Sequence, residues 1–231
     1  MPVAYAHGFL SSAQSSKGRF LRERLAPRGV DVQLLTLNGK QGPAGLSPQS
    51  ALAALSAHWR EAGARPLTLI GSSFGGWAIS RFAELHPERV DRLMLLNPGF
   101  ELGSRWDSIV GREGLATWER DGWRTFAMPS TGDPVQIPYT FVEQTRVEGG
   151  MPAVRVPTCI LHGRHDDVVP WQLSESFASR VPCSKLVLLE DDHALTAPAS
   201  LNRIADEAVA LCETPRAGLL PSRGWLCAPH E

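Results

Sequence analysis

The stretch Leu67–Ser80 reads LTLIGSSFGGWAIS, and it places two serines between glycines at the end of an apolar run. The run predicts a buried strand that ends at Gly71, and the pattern after the glycines predicts a helix over Phe74–Leu85. The letters GSSFG match G-x-S-x-G, and a strand before the motif with a helix after it is the context of a nucleophile elbow. Glycines at such a sharp turn remove Cβ atoms that would clash. The register predicts Ser73, not Ser72, as a nucleophile; the alternative is an ordinary turn with an idle serine.

The composition predicts a globular protein and excludes several kinds of partner. Of the 231 residues, 43% are hydrophobic and 20% are charged, and the formal net charge is −1. Because Lys and Arg are scattered, we expect neither nucleic acid nor an anionic membrane as a partner. No apolar run approaches the roughly 20 residues of a transmembrane helix, and the start has no signal-peptide pattern. The cysteines form no CxxC pair, and we expect reduced thiols in a cytoplasmic protein. They are Cys159, Cys183, Cys212 and Cys227.

Short apolar runs alternate with helical patterns along the chain. The runs have few charges, as expected for parallel strands that are covered on both faces, so the pattern predicts an α/β layered sheet with helices on both faces. The predicted strands are Val3–His7, Val30–Leu37, Leu67–Gly71, Leu93–Asn97, Thr158–His162 and Lys185–Glu190. The predicted helices are Ser16–Leu25, Pro48–Ala62, Phe74–Leu85, Trp171–Arg180 and Pro198–Leu211.

Residues 100–152 break this alternation, since the segment is too long for an ordinary connection. We predict a single domain over residues 1–212 with an inserted helical cap at about 100–152, and a loose tail over 213–231. The alternative for the insertion is an extra helical layer with no role at a site. Its aromatic side chains are predicted to bind substrate in an acyl pocket, or to form the small core of the cap itself. The candidates are Trp106, Trp118, Trp123 and Phe126.

A nucleophilic serine needs a base from a loop at the same sheet edge. His193 follows the last predicted strand within Asp-Asp-His, and its position after an acidic candidate gives the chain order Ser…Asp…His. We therefore predict His193 as the base. The orienting carboxylate is Asp166 or Asp167, because both follow the fifth predicted strand.

The oxyanion of an acyl transfer needs two donors, and the sequence supplies a candidate at each of two strand ends. The N–H group of Phe74 lies at a helix N-terminus, and that of Phe9 follows Gly8 in the loop after the first strand. We interpret His7 as a structural histidine. The dense run from His162 to Asp167 could hold a metal only if three or four ligands converged on one point. No nucleotide-binding motif is present, and no cofactor or metal is expected.

These motifs together resemble the α/β-hydrolase superfamily. The resemblance rests on HGF at 7–9, GSSFGG at 71–76, LHGRHDDVVP at 161–170 and DDH at 191–193, and it covers about residues 3–212. In such hydrolases the acid is the Asp of an HGxxDxxVP pattern, which lands on Asp166. More narrowly, HGFLSSAQSSK, GSSFGGW and DDVVPW look like the small YqiA-type esterases and the mitochondrial acyl-glucuronide esterases and palmitoyl-protein thioesterases. The chain begins at what would be the third strand of the superfamily, so the resemblance implies that the first hairpin is missing. It implies six strands, all parallel, in the order 2-1-3-4-5-6.

The motifs and the resemblance together predict a serine hydrolase. The expected substrates are small-molecule carboxylic esters or thioesters of small to medium apolar acyl groups, cleaved through an acyl-enzyme. The same nucleophile and oxyanion donors could serve an acyltransferase or a C–C bond hydrolase. A non-catalytic binding protein on this fold is the alternative outside the enzymes. The physiological substrate and the oligomeric state stay open.

Overall fold

The computed structural model describes residues 2–213, and the backbone of 226–227. Six parallel strands form the main sheet, and their spatial order confirms the predicted order 2-1-3-4-5-6. This is the α/β-hydrolase fold. The strands are β1 Val3–Ala6, β2 Val32–Leu35, β3 Leu67–Ser72, β4 Val90–Leu96, β7 Thr158–Gly163 and β8 Cys183–Leu189.

Helices cover both faces of this sheet because the central strands are apolar on both sides; every residue of β1, β3, β4 and β7 is buried. One face packs against the helices that carry Leu55, Phe82 and Phe177. The other packs against α1 and α8 around Leu21 and Ile204. The helices are α1 Ser16–Leu25, α2 Pro48–Glu61, α3 Phe74–Leu85, α7 Trp171–Ala178 and α8 Pro198–Glu213.

Local signals in the sequence set where the first two helices begin. The side chain of Ser15 accepts a hydrogen bond from the Gly18 N–H and so caps α1. At the start of α2, Ser47 and Ser50 bond each other's backbone N–H groups as a capping box, and Pro48 occupies the first helical position. These caps hold the connections that follow β1 and β2 at the carboxyl edge of the sheet.

The insertion at 100–152 contains three short helices, as predicted, and also a two-stranded antiparallel hairpin that was not predicted. Apart from the buried Ile137, the hairpin strands consist of exposed and half-buried residues, and they include two prolines, so they lack the continuous apolar character of the main strands. The segment is therefore a mixed helix–hairpin cap. Its elements are α4 Trp106–Val110, α5 Arg112–Asp121, β5 Trp123–Ala127, β6 Pro134–Pro138 and α6 Thr140–Glu148.

A seventh strand corrects the expectation that the sheet is entirely parallel. The two-residue β9, Leu226–Cys227, pairs antiparallel with the start of β8. The loose tail was expected from 213, but Glu213 ends α8; apart from β9, the rest of that tail lies outside the described residues. Cys183 is disulfide-bonded, whereas Cys159 and Cys212 are free, so the expectation of four reduced thiols is wrong at Cys183. Spacing along the chain could not indicate that a later segment returns to the edge strand beside this cysteine. No helix within the described part of the chain is long and apolar enough to cross a membrane.

Candidate active site

Ser73 occupies a strained turn between β3 and α3. Its backbone lies at φ 52° and ψ −122°, a region that non-glycine residues rarely adopt and that costs of order 1–3 kcal/mol. A Cβ on Gly71 would lie 2.6 Å from the Gly75 carbonyl oxygen, and one on Gly75 would lie 2.3 Å from that of Ala6. Only glycines therefore fit on either side of the serine. In this turn the Ser73 N–H donates a hydrogen bond to the Leu96 carbonyl at 2.9 Å.

The structure brings His193 to this serine. His193 lies in the loop after β8, and its Nε2 atom is 3.1 Å from the Ser73 Oγ. Its imidazole is 24% exposed, so one edge of the ring stays open to an incoming molecule. The two residues are 120 positions apart in sequence and meet because parallel strands place their carboxyl ends at one edge of the sheet.

The acidic partner of His193 is Asp166. Its Oδ2 atom is 2.8 Å from His193 Nδ1, and its carboxylate is fully buried. The other oxygen, Oδ1, accepts the N–H groups of Val168 and Val169 at 2.9 and 2.7 Å. Asp167 is exposed at the rim of the cleft, so the geometry distinguishes the two candidates that the sequence had left open.

The surroundings of Asp166 keep its carboxylate ionised. Burial disfavours the charge, but hydrogen bonds from His162 and His193 and from the Val169 N–H outweigh it and hold the pKa of Asp166 well below its usual range. His162 Nε2 is 3.2 Å from Asp166 Oδ2 and 2.9 Å from the Val169 carbonyl, while its Nδ1 is 2.7 Å from Ser174 Oγ. Sequence reasoning had considered His162 only as a metal ligand. Its place four residues before Asp166, at the end of a strand, was the available signal for a carboxylate contact.

The two expected oxyanion donors flank the serine. Phe74 is the first residue of α3, so its N–H lies at the N-terminus of this helix, and Phe9 follows Gly8 in the loop after β1. Gly8 approaches the serine so closely that a Cβ there would lie 3.1 Å from the Ser73 Cβ. The loop after β1 therefore runs directly beside Ser73, as an oxyanion-binding loop requires.

The side chain of His7 connects this loop to the segment after β2. It is fully buried; its Nδ1–H donates to the Gly8 carbonyl at 2.9 Å, and its Nε2 accepts the Leu37 N–H at 3.1 Å. Burial lowers the pKa of His7, against a smaller opposing effect of the Gly8 hydrogen bond. A neutral ring that joins β1 to the segment after β2 fits the structural interpretation of this residue.

Ser73 and His193 line a cleft of about 540 Å³. Apolar contacts come from Phe9 and Leu10 in the loop after β1 and from Pro129 in the hairpin turn of the cap. Hydroxyl and charged side chains line it as well: Ser11, Ser15, Ser16, Lys17, Ser130, Asp192 and Thr196.

None of the four cap aromatics predicted to bind substrate lines this cleft, which corrects that expectation. Trp106 and Trp118 are fully buried against each other, with ring centroids 5.4 Å apart, and Phe126 packs edge-on against Trp118 at 5.3 Å. Trp123 is 50% exposed and lines a separate surface groove with Gln136 and other residues. Trp106, Trp118 and Phe126 bury their rings against one another, so they form the core of the cap and do not line the cleft.

Comparisons with known proteins show the family of the chain and support its fold. The model of the Uncharacterised protein family (UPF0227) matches residues 2–206 of the chain. A curated relative, the mitochondrial palmitoyl-protein thioesterase ABHD10 of Homo sapiens, is 24% identical over 192 residues, which make up 78% of this chain and 61% of the relative. The mouse protein of the same name is 27% identical over 121 residues, or 50% of this chain and 40% of the relative. The chain spans between 39% and 61% of the length of the curated relatives it matches.

Solved structures share the fold over nearly the whole chain. A hydrolase structure from Agrobacterium vitis S4 superposes with a TM-score of 0.78 at 22% identity, covering 92% of this chain and 88% of that one. Alpha/beta hydrolase domain-containing protein 10 from mouse gives 0.75 at 22% identity, covering 92% and 89%. Est1E from Butyrivibrio proteoclasticus, with ferulic acid bound, gives 0.72 at 19% identity, covering 91% and 89%. At these identities the likeness concerns the fold.

Proposed function

Because the chain belongs to the UPF0227 family and has the α/β-hydrolase fold, we propose that it is a serine hydrolase that cleaves carboxylic esters or thioesters through an acyl-enzyme. The observation that carries the proposal is the hydrogen-bonded series from Ser73 through His193 to Asp166, with separations of 3.1 and 2.8 Å. Nucleophile, base and orienting acid are thus within hydrogen-bond reach of one another, as acyl transfer by a serine requires.

In the first half of the proposed reaction, the Ser73 Oγ attacks the carbonyl carbon while His193 Nε2 accepts its proton. The ionised Asp166 holds the Nδ1–H of the ring, which keeps Nε2 free to accept and stabilises the imidazolium that forms. The N–H groups of Phe9 and Phe74 receive the oxyanion, and each such donor is worth about 3 kcal/mol of barrier. His193 then gives the proton to the leaving alcohol or thiol, which departs and leaves an ester on Ser73.

In the second half, His193 takes a proton from water, and the hydroxide equivalent attacks the acyl-enzyme carbonyl. The oxyanion of the tetrahedral intermediate again accepts hydrogen bonds from the N–H groups of Phe9 and Phe74. Proton return from His193 to the Ser73 oxygen releases the carboxylic acid and restores the site. No other group is needed to balance the protons of this cycle.

The proposed substrates carry small to medium apolar acyl groups. Phe9, Leu10 and Pro129 give the cleft an apolar wall near the serine, and a cleft of about 540 Å³ falls within the usual size of a small-molecule site. Thioesters are included because the curated relatives are named palmitoyl-protein thioesterases. A series of p-nitrophenyl esters and matched acyl thioesters, from two to sixteen carbons, tests the acyl preference. A maximum of kcat/KM at sixteen carbons would contradict it.

The proposal is tested most directly at the nucleophile. Ser73→Ala is expected to lower kcat for p-nitrophenyl butyrate by roughly 10⁶-fold and to abolish labelling by a fluorophosphonate probe, because no other group can carry the acyl ester. The matched variant Ser72→Ala changes the neighbouring hydroxyl, and its kcat is expected to fall by less than about tenfold. Full activity in Ser73→Ala, or equal losses in both variants, would overturn the assignment.

A further inference from the structure

The backbone of the His193 loop is held from outside by two side chains. The residues after β8 form no regular structure until α8 begins at Pro198. Three consecutive carbonyl oxygens in this loop accept side-chain hydrogen bonds: those of Asp192, His193 and Ala194. The donors are Asn97, directly after β4, and Lys17, in α1.

Asn97 joins both loops that carry the proposed base and acid. Its Nδ2 group donates to the Asp192 and His193 carbonyls, each at 3.0 Å. Its Oδ1 accepts the Gly163 N–H at 2.8 Å, at the point where β7 ends and the loop to Asp166 begins. An amide combines two donors with an acceptor, so one side chain can bond both loops at once.

The backbone of Asn97 is adapted to this role. Its φ is +44°, in the left-handed region that Asn tolerates better than most residues, and its N–H donates to the Leu161 carbonyl at 3.0 Å. The side chain is fully buried and does not line the cleft, so it has no access to a substrate. Both polar atoms of its amide bond to the backbone of these two loops.

Lys17 holds the same loop from the side of the cleft. Its Nζ donates to the Ala194 carbonyl at 2.5 Å. Burial lowers the pKa of Lys17 to about 8, while the negative charges of Asp191, Asp192 and Asp166 favour its protonated form. The ammonium is therefore bonded to the loop carbonyl, and nearby carboxylates favour its charge.

We propose that Asn97 and Lys17 are positioning residues that hold the His193 imidazole between Ser73 and Asp166. The inference rests on the proposed function, because it concerns the geometry of the proposed base. A displacement of about 1 Å at a reacting group can lower a rate about 10²-fold, and an irregular loop has no ladder of its own to prevent such a displacement. Side chains from β4 and α1 supply the rigidity that the loop lacks.

The test compares two matched pairs of variants. Asn97→Gly suits the positive φ and removes the whole side chain with its amide, whereas Asn202→Gly removes the same side chain from an exposed position of α8. Lys17→Met keeps the methylene stem and removes the ammonium, whereas Lys40→Met does the same at an exposed position outside the cleft. All variants are assayed with p-nitrophenyl acetate at a temperature at which circular dichroism shows them folded.

We expect Asn97→Gly to lower kcat by about 10- to 100-fold with KM within about threefold, since the amide does not touch substrate. Lys17→Met is expected to lower kcat by about tenfold, and the two control variants to stay within twofold of the unsubstituted protein. The low-field ¹H resonance of the His193 Nδ1 proton, assigned by its loss in His193→Ala, should broaden or shift in Asn97→Gly. A purely stabilising role would leave both kcat and this resonance unchanged in the folded variant.

The outcomes separate this inference from the proposed function. If the unsubstituted protein shows Ser73-dependent turnover while folded Asn97→Gly and Lys17→Met keep its kcat and its resonance, the inference is wrong and the proposed function stands. If Asn97→Gly does not fold, an unchanged kcat in Lys17→Met overturns the inference. Absence of any Ser73-dependent turnover would overturn both.

Discussion

The sheet edge around Ser73 and the aromatic cap at 100–152 are built from opposite kinds of contact. At the sheet edge, backbone groups hold polar side chains one by one: Asp166 accepts two N–H groups, and Ser73 sits in a turn that glycines alone permit. In the cap, aromatic rings pack against one another: Trp118 meets both Trp106 and Phe126 edge to face. The proposed catalytic side chains therefore lie where single hydrogen bonds set their positions, whereas the large side chains of the cap are held by ring packing.

The difference teaches that aromatic content is a poor guide to a binding wall. The rings of Trp106 and Trp118 also satisfy their N–H groups inside the cap, on Thr145 Oγ1 and the Ile137 carbonyl. A tryptophan with both its ring and its N–H paired has no free surface for a ligand. The cap reaches the cleft through small residues of its hairpin turn, Pro129 and Ser130.

After the loss expected for Ser73→Ala, the largest expected effect also tests the sheet edge. Asp166→Asn would place an amide opposite His193 Nδ1, which favours the tautomer whose Nε2 carries the proton and cannot accept one from Ser73. We expect kcat for p-nitrophenyl butyrate to fall by about 10⁴-fold with the fold intact. Steady-state kinetics together with circular dichroism measures both quantities.

Asp167→Asn is the matched control for this prediction, because it makes the same chemical change one residue later on an exposed side chain. Its kcat is expected to fall by less than about tenfold. A larger loss in Asp167→Asn than in Asp166→Asn would reverse the assignment of the acid and break the contrast between the two regions.

The next effect tests the cap. Trp118→Ala removes a fully buried ring and leaves the Ile137 carbonyl without its donor, so the free energy of unfolding should fall by about 3–5 kcal/mol. Trp123→Ala, at a ring that is half exposed, should cost no more than about 1 kcal/mol. Urea unfolding followed by circular dichroism measures both values.

The same two variants sharpen the comparison through their kinetics. Because neither ring lines the cleft, both folded variants should keep KM for p-nitrophenyl butyrate within about threefold. A rise in KM of tenfold or more in Trp118→Ala, without loss of fold, would return this ring to the substrate wall and contradict its place in the core of the cap.

The smallest effect concerns acid stability at the sheet edge. The folded protein keeps His7 neutral because burial lowers its pKa from 6.5, whereas the unfolded chain binds a proton there below about pH 6.5. Stability that is present above this pH is therefore lost as the pH falls. Between about pH 7.5 and 5.5 the loss from this ring cannot exceed about 1.4 kcal/mol, the free energy of one pH unit below 6.5. His7→Gln, which cannot titrate, should show a correspondingly smaller change in its free energy of unfolding over that interval; identical changes in the two proteins would refute the buried neutral ring.

Much of the fold could be predicted because strands and helices here follow local patterns. Helices α1 and α3 begin and end where the pattern predicts, and the six parallel strands differ from the prediction by up to three residues at their ends. The hairpin of the cap escaped prediction because its strands are short and half exposed. β9 was not predicted because a strand of two residues is too short to show a periodic pattern.

The candidate site, like the fold, could be predicted only in part. The sequence by itself determined the order of Ser73, Asp166 and His193 and their places after strands, because parallel strands bring such positions to one edge. Only the tertiary structure decided that His162 supports the carboxylate and that Asn97 and Lys17 hold the loop of His193. Those contacts join residues from separate elements through single hydrogen bonds. It also decided that the cap aromatics face one another, because the direction of a side chain depends on packing that no short pattern encodes.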